Sequence, residues 1–139
     1  MCDINQTNTH KIFILQKRAC KVIFGHEYIS VSDSLEKMTS IDIYDKVILH
    51  KAKFMYKVSR GLVPNYVANM FEQETTNYTC LRTSNSNNYK RPRPKLELFK
   101  QSMSYSGPSI WNKIPKSIQD MKTVDSFTSS FIRWFKSPN

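Results

Sequence analysis

The acidic side chains are the first place to look for chemistry, and they are scattered. Asp3, Asp33, Asp42, Asp45, Asp120 and Asp125 include no adjacent pair. A site that clamps two divalent metals needs carboxylates close enough to serve both ions, and no two of these aspartates are neighbours. Asp45 follows Tyr44 but precedes Lys46, inside a helical pattern rather than on a hairpin. His50 stands at i, i+5 from Asp45, a spacing that points the two apart on a helix, where neighbours are three or four residues away. Cys2, Cys20 and Cys80 are an odd number at spacings that fit neither a zinc site nor a disulfide framework. His10, His26 and His50 have no cysteine at ligand spacing. Catalysis requires a nucleophile with a base in reach, or clustered carboxylates. The expectation is no catalytic residue, no metal, no cofactor and no small-molecule substrate.

The basic side chains are organised. Lys and Arg total 21 against 11 acidic residues, a formal charge of +10. Such an excess favours a polyanion as partner, because each neutralised phosphate releases condensed counterions. One group, Lys17, Arg18 and Lys21, lies on a helical stretch. The other, Lys90, Arg91, Arg93, Lys95 and Lys100, surrounds Pro92 and Pro94. From Arg82 to Lys100 there are six cations against the single Glu97. The prolines prevent helix and sheet-interior pairing, so these charges are expected on a stiff, extended strip. Beside Tyr89 the strip suits a single strand of nucleic acid, with phosphates on the cations and a base on the ring. The blander alternatives are a solvated helix face for the first group and a solvated linker for the second.

These groups must be positioned by helices. Ile12, Leu15, Ala19, Val22 and Ile23 predict one apolar helical face over about Thr9 to Phe24, with Gly25 as the stop. Cys20 falls on the apolar side as a small core residue. A short helix is expected over about Ser32 to Met38, capped by Ser30 or Ser32, with Leu35 and Met38 inward. The strongest helical pattern runs from about Ile41 to Arg60. Ile41, Tyr44, Ile48, Ala52, Met55 and Val58 form its stripe, Val47 and Phe54 widen it, Ser40 caps it and Gly61 ends it. Pro64 opens a further short helix to Phe71, with Tyr66, Val67, Met70 and Phe71 inward.

From Glu72 to Asn88 the chain turns polar and reads as a mobile loop. Leu96, Leu98, Phe99, Met103 and Tyr105 lead into Ser106-Gly107-Pro108-Ser109-Ile110-Trp111-Asn112-Lys113-Ile114-Pro115, a packing corner with an aromatic anchor. A helix over Met103 to Asn112 is expected, with Trp111 buried, Asn112 bonding the turn to Pro115, and Pro115 closing the corner. A last helix over about Val124 to Lys136, capped by Thr123, carries Phe127, Phe131, Trp134 and Phe135 in one stripe. The fold class is therefore all-α, an irregular bundle of about five to six helices with a mobile polar loop near 72–90. One domain, 1–139, is expected, with a helical part at 9–71, a polar and basic loop at 72–95, and the corner with the last helix at 96–136.

Five segments in order resemble the C-terminal region of the reverse transcriptase of non-LTR (LINE-type) retrotransposons. They are Leu15 to Ala19 (Leu-Gln-Lys-Arg-Ala), Leu62 to Tyr66, the Ser/Asn run Thr83 to Asn88, Arg91 to Arg93, and Trp111 to Pro115 (Trp-Asn-Lys-Ile-Pro). The likeness covers about Phe13 to Phe135 and lies beyond the polymerase active site, whose adjacent aspartates have no counterpart here. The resemblance implies a non-catalytic fragment of an RNA-directed DNA polymerase that helps hold RNA or DNA by its backbone, without reading sequence. The alternatives are a segment that packs on a polymerase body, or a decayed copy with no role of its own. The chain begins without an apolar leader and has no stretch of eighteen apolar residues. The expectation is an intracellular protein, nuclear or cytoplasmic, neither secreted nor in a membrane.

Overall fold

The computed structural model describes residues 4–38, 40–74 and 88–137, and among them every regular element is a helix. Helices α1 (Ile4–Phe24), α2 (Val31–Lys37), α3 (Ile43–Ser59), α4 (Asn65–Ala68), α5 (Met103–Trp111), α6 (Lys116–Gln119) and α7 (Val124–Lys136) follow in order. Short 3-10 turns occupy Gly25–Glu27 and Glu97–Gln101. The all-α expectation holds. The chain divides into two compact units at Ile48/Leu49, within α3.

The first unit holds α1, α2 and the start of α3. Gly25 stops α1 with a φ of +52°, which an L side chain rarely adopts. Ser30 caps α2: its hydroxyl oxygen accepts from the Asp33 N–H at 3.1 Å and its O–H donates to the Asp33 carboxylate at 2.7 Å. Leu35 is buried as expected, whereas Met38 is exposed. The start of α3 is capped by Asp42 rather than Ser40. The Asp42 carboxylate accepts from Tyr44 N–H, and its carbonyl accepts the first helical bond, from Lys46.

The buried face of α1 is also displaced from the expected one. Cys20 is buried and Phe13, Gln16 and Phe24 half-buried, at i, i+3, i+7 and i+11. Ile12, Leu15, Ala19, Val22 and Ile23 are exposed, Val22 by 83%. The anchor of the covered face is polar. Gln16 donates its amide N–H to the Ile41 carbonyl and accepts from the Ile43 N–H, both at 3.2 Å. A periodicity count gives a glutamine no weight, so the stripe drawn from apolar residues alone lands one edge away.

In the second unit, Leu49, Ala52, Met55, Tyr56 and Val58 of α3 are buried. The expected stripe contained Ala52, Met55 and Val58 but missed Leu49 and Tyr56, and it wrongly included Tyr44 and Val47, which are exposed. Gly61, at φ +66°, ends α3 in a Schellman turn: Leu62 N–H reaches the Lys57 carbonyl and Gly61 N–H the Val58 carbonyl. In the region after Pro64, Phe71 is buried, but Tyr66 and Met70 point to solvent because α4 is a single turn.

The core of this unit is an aromatic stack. Phe127 on α7 lies 4.7 Å from Tyr56 and 6.1 Å from Trp111 by ring centroids, and Phe131 continues the stack at 5.9 Å. Thr123 caps α7, accepting from Ser126 N–H. Trp111, Phe127 and Phe131 are fully buried. The α7 stripe therefore docks on its own unit, and only Phe135 remains exposed. Gly107 sits at the tightest point of α5. A Cβ there would come within 2.7 Å of Met103 Cε and 2.9 Å of Met55 Sδ, so the Gly-Pro step is the packing corner that its residue types imply.

Of the mobile polar loop expected from Glu72 to Asn88, positions 75–87 lie outside the described residues, while its two ends are paired rather than loose. Gln73 and Tyr89 form an isolated antiparallel bridge, flanked by Glu74 N–H to Asn88 carbonyl and Lys90 N–H to Glu72 carbonyl, both 2.8 Å.

Candidate nucleic-acid interface

The two basic groups lie in different units. Lys17, Arg18 and Lys21 are exposed on α1. Lys21 Nζ stands 5.6 Å over the Tyr28 ring, a cation–π contact that holds it toward the Gly25 turn. Lys17 and Arg18 pair with no carboxylate of the described residues.

In the second unit the five cations separate into two classes. Lys90 pairs with Glu72 at 3.1 Å, and Lys100 with Glu97 at 2.6 Å. The Glu97 hydrogen bond raises the Lys100 pKa above its ordinary value. Arg91, Arg93 and Lys95 are exposed and pair with no carboxylate of the described residues. Arg91 and Arg93 each precede a proline, which confines them to extended backbone, while Pro92 and Pro94 have φ fixed by their rings. Pro94 is half-buried, so one side of the strip rests on the unit. The local charge that remains after pairing is thus concentrated on three residues at alternate positions.

Tyr89 does not stand beside them as a stacking surface. It is 2% exposed, with its ring edge-on to Phe71 at 6.4 Å. Its main chain is held by Asn112, whose side-chain oxygen accepts from Tyr89 N–H at 3.0 Å and whose amide donates to Tyr89 carbonyl at 2.9 Å. Asn112 thus serves residue 89 rather than the turn to Pro115. Trp111 is buried as the anchor, Gln119 donates to its carbonyl at 2.9 Å, and Pro115 is half-buried at the start of α6. Gln16 and Asn112, the carboxamides of two of the five segments, therefore both act as main-chain clamps.

The exposed aromatic side chain that follows the strip in the chain is Phe99, 41% exposed on the Glu97–Gln101 turn, with Leu96 and Leu98 also exposed. Their order in the chain marks them only as the approach to the Gly-Pro corner. Their spacing is ambiguous between a helix and a 3-10 turn, and only the fold decides it.

Other features are less suited to a ligand. A groove of about 360 Å³ in the first unit is lined by Ile12, Leu15, Gln16, Ala19, Ile41 and Ile43, with Ser40 and Lys46 at its edge. A recess of about 130 Å³ in the second unit lies among Ser59, Arg60, Gln73, Trp111, Gln119 and Asp120. The Arg60 guanidinium is already engaged there with the carbonyls of Met121 and Gln119. His10 Nδ1 meets the Tyr44 hydroxyl at 3.3 Å on the surface of the first unit. Among the described residues no three His, Cys, Asp or Glu side chains come together in a way that could hold a metal ion, and no helix is long and apolar enough to cross a membrane. No family model, curated protein or solved structure matches the chain.

Proposed function

We propose that this chain is a non-catalytic module that grips nucleic acid by its phosphate backbone, the role implied by its resemblance to the C-terminal region of LINE-type reverse transcriptases. One observation carries the reading. Arg91, Arg93 and Lys95 stand exposed and without carboxylate partners among the described residues, whereas the neighbouring Lys90 and Lys100 are neutralised by Glu72 and Glu97. A proline-stiffened strip loses little backbone freedom when phosphates take the place of water around its cations. Lys17, Arg18 and Lys21 add positive charge on α1. RNA and DNA are both partners of the right charge, and contacts of this kind position a strand without reading it.

The test is a binding titration of the full chain against labelled RNA and DNA across a salt series. A Kd that weakens linearly with log salt, with a shallower slope once Arg91, Arg93 and Lys95 are Ala, supports the reading. Salt-insensitive or absent binding by a folded chain overturns it. That outcome leaves a second reading, a segment that packs on a polymerase body, which is favoured by the exposed Ile12, Leu15, Val22 and Ile23 of α1.

A further inference from the structure

The strip does not end at its cations. After Lys95 the chain enters the Glu97–Gln101 turn, which presents Leu96 at 71% exposure, Leu98 and Phe99. The turn is held by the Leu96 carbonyl accepting from Phe99 N–H at 3.1 Å and the Phe99 carbonyl accepting from Ser102 N–H at 3.0 Å. Phe99 is therefore fixed at its main chain while its ring is open. Among the described residues no other aromatic ring packs on it, in contrast to Phe54, Phe71, Tyr89, Phe127 and Phe131, which all pair with one another or with neighbours. Glu97 is the single acid of this stretch, and its carboxylate is taken up by Lys100. An open ring thus stands four residues after Lys95, the last of the three unpaired cations, a separation the chain can span by at most about 14 Å.

A polyanion with flat apolar groups matches that surface, and a nucleic-acid strand has such groups on offer only when its bases are unpaired. We infer that the strip takes single-stranded nucleic acid, with Phe99 as the ring on which an unpaired base stacks. Leu96 and Leu98 cover the base edges, and Arg91, Arg93 and Lys95 carry the flanking phosphates. The inference rests on the backbone-binding reading above and adds to it a preference for unpaired strands. Duplex engages the cations alone, because its bases are stacked on each other and its ring faces are closed.

The test compares three probes of equal length at one salt concentration: a homopolymeric single strand, the same strand with abasic sites, and a duplex. The full chain is measured beside Phe99→Ala and Phe99→Trp, with circular dichroism to confirm that each variant is folded. Expected is a Kd for the intact single strand roughly tenfold or more below those for the abasic strand and the duplex. Phe99→Ala removes that advantage and leaves abasic binding unchanged, while Phe99→Trp retains it. Equal, salt-dependent binding of all three probes, or an advantage that survives in Phe99→Ala, overturns the inference and leaves the backbone module standing. Absence of salt-dependent binding to any probe overturns both.

Discussion

The side chain of Asn112 closes both main-chain polar groups of Tyr89, accepting from its N–H at 3.0 Å and donating to its carbonyl at 2.9 Å. The pairing follows from ladder geometry. In an antiparallel pair, successive residues alternate between bonding the partner strand and facing away. Asn88 and Lys90 bond toward Glu74 and Glu72, so Tyr89 turns its amide and carbonyl to the other edge. Asn112 stands there in place of a third strand. Asn112→Ala leaves two half-buried groups without this partner, and a loss of about 1–3 kcal/mol is expected in urea unfolding. Asn112→Asp does not restore it, because its second oxygen faces the Tyr89 carbonyl. An unchanged midpoint in both variants would show that water replaces the amide.

Gly107→Ala is expected to destabilise by about 1–3 kcal/mol, the usual effect of an extra methyl in a filled core. The new Cβ would stand 2.9 Å from Met55 Sδ, and Met55 is fully buried. Thermal unfolding of Gly107→Ala, Met55→Ala and the double variant tests the contact. The double variant should lose clearly less than the sum of the singles, because truncating Met55 makes room for the methyl. Strict additivity would place the strain elsewhere.

Lys51 lies half-buried on α3, and desolvation lowers its pKa below the ordinary 10.5. The folded state therefore disfavours the charged amine, and the unfolded chain binds more protons between the lowered value and 10.5. Stability from this group rises with pH across that window and is absent below it. Lys51→Met should be more stable than the natural chain at neutral pH, and the difference should shrink as pH approaches 10.5. Chemical denaturation at pH 7 and pH 10 checks it, and a constant difference between the two would contradict it.

The two classes of cation predict an order of effects on nucleic-acid binding. Arg91→Ala, Arg93→Ala and Lys95→Ala should each reduce the salt slope by about one unit. Lys90→Ala and Lys100→Ala should reduce it less, since Glu72 and Glu97 already neutralise those ammonium groups. Equal effects at all five positions would mean that the glutamate pairs open on binding.

Leu15→Glu and Val22→Glu sit on the exposed face of α1, and unfolding free energies within about 0.5 kcal/mol of the natural chain are expected. Light scattering should fall in both, because an exposed apolar patch is broken by charge. Cys20→Glu, on the covered face, should unfold the first unit instead. A large loss from Val22→Glu would show that this face is buried in solution.

Local signals were legible in the sequence where one residue decides the outcome. Gly25 and Gly61 mark helix ends, Ser30 and Thr123 mark starts, and the α7 stripe reads correctly because its aromatic residues leave one face to choose. The apolar stripes of α1 and α3 were harder. Both helices have more apolar residues than one face can hold, and what settles the covered edge is Gln16 reaching Ile41 and Ile43 in one case and Tyr56 donating to the Met121 carbonyl at 2.6 Å in the other. The strip at Arg91 to Lys95 was legible from charge and proline. Its aromatic neighbour was not, because Tyr89 is buried through an asparagine far along the chain, and nothing local distinguishes it from Phe99.

The paired ends of the polar segment have a further consequence. Because Glu74 and Asn88 meet across a single 2.8 Å hydrogen bond, whatever chain joins them leaves and returns at one point on the unit. Closure entropy grows only slowly with length in such an arrangement, by about 0.6 kcal/mol per doubling. The Gln73–Tyr89 bridge and the Asn112 clamp on Tyr89 thus anchor both ends of the segment at one place beside the aromatic stack.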